Sequence, residues 1–354
     1  MDGILVRIGW NDVEPSPGVI DFSRLDDQIA LAEAAGKRIS LAVVNGPQAP
    51  VWLPSVGVET FTYMRNEDTI TIPVPWDETH LERWTTLIEA LGARFATEDT
   101  ISLVYMTHAS ANGFEMQLPF SPVDQANWLA AGYTPELYTD SWEAVVDAFA
   151  TAFPNHPLSH DVHPVLGSDD VQENVARYAS ETYGERMGIL AAWWMERNAY
   201  EVYPGSFDVL VTSAVRTHAE VQVANSFTLR PDRFGPAGIA AEIDLALDAG
   251  IGYMEIWNSD LLNASLTSLM VDAAERLNGL GDPGPCDVVA GVSAEADLCC
   301  AADVDRDGDR DAFDIIAHAQ AVRAEHPSGD FDGDGELTPM DTIGLLSAHA
   351  GCSL

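Results

Sequence analysis

Over residues 1–280, short apolar runs alternate with stretches of amphipathic helical pattern. The runs are residues 4–8, 39–44, 101–106, 158–162, 187–194, 221–227 and 251–257. Between them, residues 22–35, 80–95, 141–153, 171–183, 239–249 and 266–277 repeat apolar side chains at helical spacing. A parallel strand buried on both faces reads as a continuous apolar run. Strand alternating with helix implies parallel strands joined by crossovers. The repetition predicts an α/β fold built as a (β/α)8-type TIM barrel of about eight units. An open doubly wound sheet is the structural alternative. No G-x-G-x-x-G follows the first run, which disfavours a dinucleotide-binding version of it.

Two connections are too long for simple crossovers, residues 46–76 and 107–140. In a barrel both lie on the face formed by the C-terminal ends of the strands, where sites are built. They are rich in Pro, Asn and aromatic residues, among them Trp52, Tyr63, Trp76, Phe114, Trp128 and Tyr133.

Beyond residue 280 the pattern stops. Residues 281–298 read as a linker, and residues 299–354 are rich in Asp. Residues 303–314 read DVDRDGDRDAFD and residues 330–341 read DFDGDGELTPMD. Oxygen donors recur at loop positions 1, 3, 5, 7 and 12: Asp303, Asp305, Asp307, Asp309 and Asp314, then Asp330, Asp332, Asp334, Glu336 and Asp341. Gly308 and Gly335 stand at position 6, where the loop turns sharply. Ca2+ takes six to eight hard oxygen ligands, and this spacing supplies them twice. A solvated acidic tail would not repeat the glycine and the twelfth-position acid in register. A helical pattern follows each loop. The pair resembles the type I dockerin module, a small all-α calcium-loop domain. That resemblance implies two Ca2+ ions and a cohesin-like protein partner. Positions 10 and 11 hold Ala312 and Phe313, then Pro339 and Met340, in place of the hydroxyl pair common in that family.

Charge and cysteines agree with such a tail. The chain of 354 residues carries 17 basic against 56 acidic side chains, a net charge of −39. A nucleic-acid partner needs a basic face and is excluded on this balance. No apolar stretch of about 18 residues predicts a membrane span. Cys286, Cys299, Cys300 and Cys352 all fall in the last fifth of the chain without the repeated spacing of a zinc site. Two disulfides of open connectivity are expected, and with them an extracellular or cell-surface location. The chain starts almost directly in a strand with no export signal, so an incomplete N-terminus is expected.

The segment from Trp10 carries W-x-x-x-E-P-x-x-G-x-x-D-F, with Trp10, Glu14, Pro15, Gly18, Asp21 and Phe22 at the fixed positions. The next strand ends near Pro50, Trp52 and Leu53. These residues resemble the second and third units of the large TIM-barrel clan of retaining glycoside hydrolases, the relatives of β-galactosidases and cellulases. The resemblance implies a barrel lacking its first strand and a secreted enzyme cleaving O-glycosidic bonds of poly- or oligosaccharides, with no cofactor for catalysis. Glycoside hydrolysis uses two carboxyl groups across the scissile bond, one held protonated. In the clan the acid/base follows the fourth strand, which gives Glu115 in ANGFEMQLP, with Phe114 where the clan places Asn. The clan nucleophile ends the seventh strand, here AEVQVANSF, which offers Glu220 or Gln222. Glu255 lies inside the apolar run 251–257, where a carboxylate without a partner is expensive. It is therefore expected to point into the barrel mouth as the second carboxylate, the alternative being a structural ion pair. Arg7, Trp10, Trp52, Asn112 and Trp257 are the candidate substrate-binding residues. Asp161 and His163 are weaker candidates for sugar hydroxyls. A non-catalytic carbohydrate-binding barrel, or a surface assembly protein displayed through the tail, is the alternative function.

Overall fold

The computed structural model describes residues 3–279. The linker at 281–298, the dockerin-like domain at 299–354 with its ten proposed calcium ligands, and the four cysteines lie outside the described residues. The chain divides into two compact units. Among the described residues, one comprises residues 3–213 and 217–222, the other residues 214–216 and 223–279.

In the first unit, to which all but the last residues of α7 and β8 belong, the elements run β1 (Gly3–Gly9), α1 (Trp10–Val13), α2 (Ser23–Ala34), β2 (Arg38–Val44), β3 (Thr60–Arg65), β4 (Asp68–Pro73), α3 (Glu78–Phe95), β5 (Ile101–Tyr105), α4 (Pro122–Ala130), α5 (Pro135–Ala152), β6 (Leu158–Asp161), α6 (Asp170–Tyr183), β7 (Met187–Trp194), α7 (Pro204–Arg216) and β8 (Ala219–Val223). The main sheet follows the order β1-β2-β5-β6-β7-β8. Its pairs β1·β2, β2·β5, β5·β6 and β6·β7 are parallel. The sheet is open and curled, a half-barrel built by the same strand–helix repetition as a TIM barrel. β3 and β4 form a separate antiparallel hairpin inside the first long connection. Asn66 turns that hairpin at φ 51°, a conformation Asn tolerates better than most residues.

Side-chain alternation sorts the strands into two faces. Val6, Ile8, Ile39, Leu41, Val43, Val104 and Leu158 join a large core with Leu25 and Ile29 of α2, Trp84 and Leu91 of α3, Trp142 and Phe149 of α5, and Val175 of α6. The opposite face gathers a smaller cluster of Ala42, Val44, Leu103, Tyr105, Leu190 and Ala192, with Leu5 against it. Gly92 lets α3 and α5 touch, because a Cβ there would stand 2.4 Å from the Ala152 carbonyl oxygen.

Three histidines are buried in this core as neutral rings. Burial holds His80 and His160 down to about 4, and burial with neighbouring His80 holds His108 well below the ordinary value. The neutral form of His80 accepts from the Asn45 amide at Nε2 (3.1 Å) and donates from Nδ1 to Pro75 O (3.2 Å). In the unfolded chain these rings titrate near 6.5. The folded state thus binds fewer protons between about 6.5 and about 4. Stability that is present above 6.5 is lost as the pH falls through that window. Urea unfolding of the parent and of His160→Gln at pH 7.5, 5.5 and 4.5 measures this. The variant is expected to lose less stability on acidification, and parallel curves would contradict it.

The second unit holds α8 (Ile239–Asp248), β9 (Tyr253–Glu255), α9 (Asn258–Leu261) and α10 (Thr267–Gly279). Ile239, Ile243, Leu247 and Ala273 form its core, with Met254, Ile256, Leu266 and Leu269 packed against them. Buried Asp260 accepts from Ser226 Oγ (3.0 Å) and from the backbone N–H of Phe227 (3.0 Å) and Thr228 (2.7 Å), fixing the turn at 226–230. No described helix is long and apolar enough to cross a membrane.

Candidate active site

The connections after β5, β6 and β7 bring a titratable cluster to the C-terminal ends of the first unit's strands. Two tight turns support it. Gly46 (φ +57°) follows β2, and a Cβ there would meet Ser110 O at 2.5 Å. Gly113 (φ +76°) lies against Asn45, whose carbonyl oxygen would sit 2.1 Å from a Cβ. Only a residue without a side chain allows both a left-handed turn and this approach.

Glu115 stands two residues after Gly113 and is half-buried. Its Oε1 accepts from Asn112 Nδ2 and its Oε2 from Gln117 Nε2, each at 2.7 Å. Asn112 Oδ1 accepts in return from the backbone N–H of Phe114 (3.0 Å) and Glu115 (2.8 Å). The carboxylate is therefore oriented by two amides within its own turn. Arg7, on β1, lays its guanidinium over the Phe114 ring at 3.7 Å, a cation–π contact beside the same turn.

Asp161 ends β6 and is 1% exposed. Its Oδ2 accepts from Met116 N (3.0 Å) and its Oδ1 from Ala192 N (3.1 Å). Burial, then the charge of Glu115, holds this carboxyl well above the usual carboxylate range, while the two amides and Arg7 oppose the shift. His163 is buried, which pushes its ring down against the pull of Pro164 O and Glu115. Burial, then Glu115 and Asp161, pushes the Tyr203 phenol up. The Tyr203 ring lies 4.5 Å from that of His163 and 5.4 Å from that of Trp193. The charges of Arg7 and Glu115 thus act on Asp161, and that of Glu115 on His163 and Tyr203, which joins the five in one electrostatic group.

Three other candidates of the first unit, Trp10, Trp52 and Glu220, have partners outside this group. Trp10 is completely buried, and its indole N–H donates to Glu14 Oε2 (2.8 Å). Glu14 Oε1 accepts from Gly18 N (2.8 Å), and Trp52 Nε1 donates to Glu14 O (3.0 Å) while its ring meets Trp10 edge-on at 6.3 Å. The W-x-x-x-E-P-x-x-G segment is thus a self-closing turn in which Trp10 has no free face. Trp193 and Trp194 are both buried, and Trp193 donates to Val162 O (2.6 Å).

Glu220 is buried at the N-terminal part of β8. Its Oε2 accepts from Ser159 Oγ (2.5 Å), and His218 Nδ1 bonds its Oε1. Both oxygens are taken, at the end of the strand remote from the Glu115 turn. Gln222 shares its face two residues on and is half-buried.

In the second unit, Met254 and Ile256 pack toward α8 and α10, so Glu255 points to the opposite face of β9. Tyr253 Oη donates to Glu255 Oε1 at 3.4 Å. Trp257 is 46% exposed and donates its indole N–H to Val223 O (2.6 Å). Among the described residues no group of three or more His, Cys, Asp or Glu is placed to hold a metal ion.

Of the expected residues, the structure brings Glu115, Asn112 and Arg7 together and sets Trp10 and Trp52 in a separate turn. Gln117 and Tyr203 were not anticipated. Gln117 was within reach of the sequence, since an amide two residues from a candidate carboxylate is a natural partner. Tyr203 carries no such signal.

No protein-family model matches the chain, and no curated protein is similar to it. Among solved structures, it is similar to endo-glycoceramidase II from Rhodococcus sp. as its lactosyl-enzyme intermediate. That match has 15% identity and a TM-score of 0.45, over 73% of this chain and 65% of that one. It is also similar to a beta-galactosidase from the psychrophilic Marinomonas ef1, with 12% identity and a TM-score of 0.47 over 72% and 49% of the two chains. Xylanase 10B from Thermotoga petrophila RKU-1 matches at 12% identity and a TM-score of 0.45 over 72% and 73%. The chain thus spans less than two thirds of the first two proteins.

Proposed function

We propose that the chain is a glycoside hydrolase that cleaves O-glycosidic bonds of poly- or oligosaccharides. Glu115 is the acid/base that protonates the leaving oxygen, and Glu255 is the second carboxylate, acting as nucleophile or charge stabiliser. The observation that carries the reading is the half-exposed Glu115 carboxylate. It is oriented by Asn112 and Gln117 at the C-terminal end of a parallel sheet, within the field of Asp161 and Arg7. A general acid acts only if its carboxyl is aimed at the leaving atom, and two side-chain amides provide that aim. Arg7, Asn112 and Trp257 are the proposed sugar contacts. Exposed Trp257 offers a ring face of the kind that packs on a pyranose.

A second reading, sugar binding without hydrolysis, has its own observation. At β8 the inner face presents Gln222 where the clan expects a carboxylate, and Glu220 is closed off by Ser159 and His218. Product release from a panel of aryl glycosides and polysaccharides separates the two: turnover supports the hydrolase, and saturable binding without turnover supports the second reading.

We further propose that residues 303–314 and 330–341 bind two calcium ions and form an extracellular docking tail for a cohesin-like partner. The twice-repeated spacing of acids and glycine supports this. Calcium added to the chelator-treated full chain is expected to raise helical circular dichroism, with half-saturation at roughly 10⁻⁶–10⁻³ M. An unchanged spectrum across that range would contradict the tail.

A further inference from the structure

We infer that Asp161 is a positioning residue, which fastens the turn carrying Glu115 to strand β7. The inference rests on the reading of Glu115 as the acid/base and assigns Asp161 a task other than touching sugar. With 1% of its surface exposed, Asp161 has no face to offer a ligand.

Its two oxygens accept from backbone amides far apart in the chain. Met116 N lies 45 residues before it and Ala192 N 31 residues after it. Met116 directly follows Glu115, and its carbonyl oxygen accepts from Tyr138 Oη at 2.9 Å. Met116, the residue after the acid, is therefore held at its N–H by β6 and at its carbonyl by α5. The pin at Met116 N is the only one of the two that also reaches β7.

A buried carboxylate is costly unless its hydrogen bonds are made. Here both oxygens are satisfied by backbone that no other described side chain holds at these atoms. An apolar residue would fill the space but leave two buried N–H groups unpaired. The chemistry at this position thus answers a need of the backbone, and that backbone orients Glu115. Arg7 and Glu115 are the charged groups acting on Asp161 from β1 and from the turn itself.

The test uses the full chain, Asp161→Asn and amide hydrogen exchange. Asn keeps the shape and one acceptor, but turns an N–H2 toward one of the two amides. Exchange at Met116 or Ala192 is expected to accelerate by about tenfold or more, with amides of α2 unchanged. On a glycoside that the parent hydrolyses, kcat should fall roughly 10²-fold with KM within about threefold, the signature of misplaced chemistry. Unchanged exchange at both amides overturns the inference, as does accelerated exchange with unchanged kcat. Should the variant not fold, the parent decides. Its Met116 amide must exchange far more slowly than the exposed amides of the 107–121 connection, and a fast Met116 amide overturns the inference. A parent with slow Met116 exchange but no hydrolysis of any glycoside leaves the tether standing and removes only the hydrolase reading.

Discussion

Glu115→Gln is expected to lower turnover on glycosides with poor leaving groups by about 10²–10⁴-fold, the usual contribution of a positioned general acid. The substitution is nearly isosteric. Asn112 Nδ2 can still donate to the new carbonyl oxygen, while Gln117 Nε2 faces an amide N–H2 and loses its acceptor. One hydrogen bond at a half-buried site is worth about 0.5–1.5 kcal/mol, so the fold should persist. The loss should depend on the leaving group. A nitrophenolate departs without protonation, and the variant should recover most of its rate on such substrates. A series of aryl glycosides with graded leaving-group acidity measures this directly. Uniform loss across the series would assign Glu115 a binding task, and no loss would remove it from the chemistry.

The second large effect concerns stability. Trp128→Ala should destabilise the first unit by about 3–5 kcal/mol, the range for removing a buried aromatic side chain. Trp128 is completely buried on α4, stacked on Phe61 of the β3–β4 hairpin with centroids 3.5 Å apart and planes 6° from parallel. Trp76 meets it at 5.5 Å, and the Trp128 indole N–H donates to Pro119 O (3.1 Å). Truncation opens a cavity and leaves that carbonyl unpaired. It also separates the hairpin from the connection that carries Glu115. For a unit of this size the melting temperature should fall by roughly 6–20 °C. Trp128→Phe keeps most of the stack and should lose less. Calorimetry of both variants checks the ranking, and a melting temperature within about 1 °C of the parent for Trp128→Ala would contradict this account of the packing.

Much of this architecture can be read from the chain because parallel strands declare themselves as apolar runs. The run at 187–194 coincides with β7 (Met187–Trp194), and the run at 4–8 lies within β1. The helical stretch at 80–95 differs from α3 only at its start, where Asp77 caps the helix by accepting from His80 N. The long connections were harder. Residues 46–76 hold a hairpin whose Phe61, Tyr63, Ile70 and Ile72 alternate with Thr, a period-2 signal beside the turn at Asn66. Residues 107–140 contain α4 and the first turns of α5. Both starts carry legible caps, Ser121-Pro122 closed as a capping box by Asp124, and Thr134-Pro135.

The candidate site was legible where its bonds are local and illegible where they are not. Asn112 and Glu115 are three residues apart, close enough for one turn to join them. Asp161 depends on amides of Met116 and Ala192, which no local pattern connects. His218 lies two residues before Glu220, yet the other partner of Glu220, Ser159, comes from β6. Trp10 illustrates the converse, since the four-residue spacing to Glu14 that marks the motif is the spacing of an internal hydrogen bond.

Hydrolysis of glycosidic bonds through Glu115 is the proposal on which the rest depends. Reducing-sugar release from a panel of poly- and oligosaccharides, measured side by side for the full chain and Glu115→Gln, tests it most directly. The account predicts release by the parent on at least one substrate and its near disappearance in the variant. Equal release by both, or saturable sugar binding by the parent with no release, would contradict it.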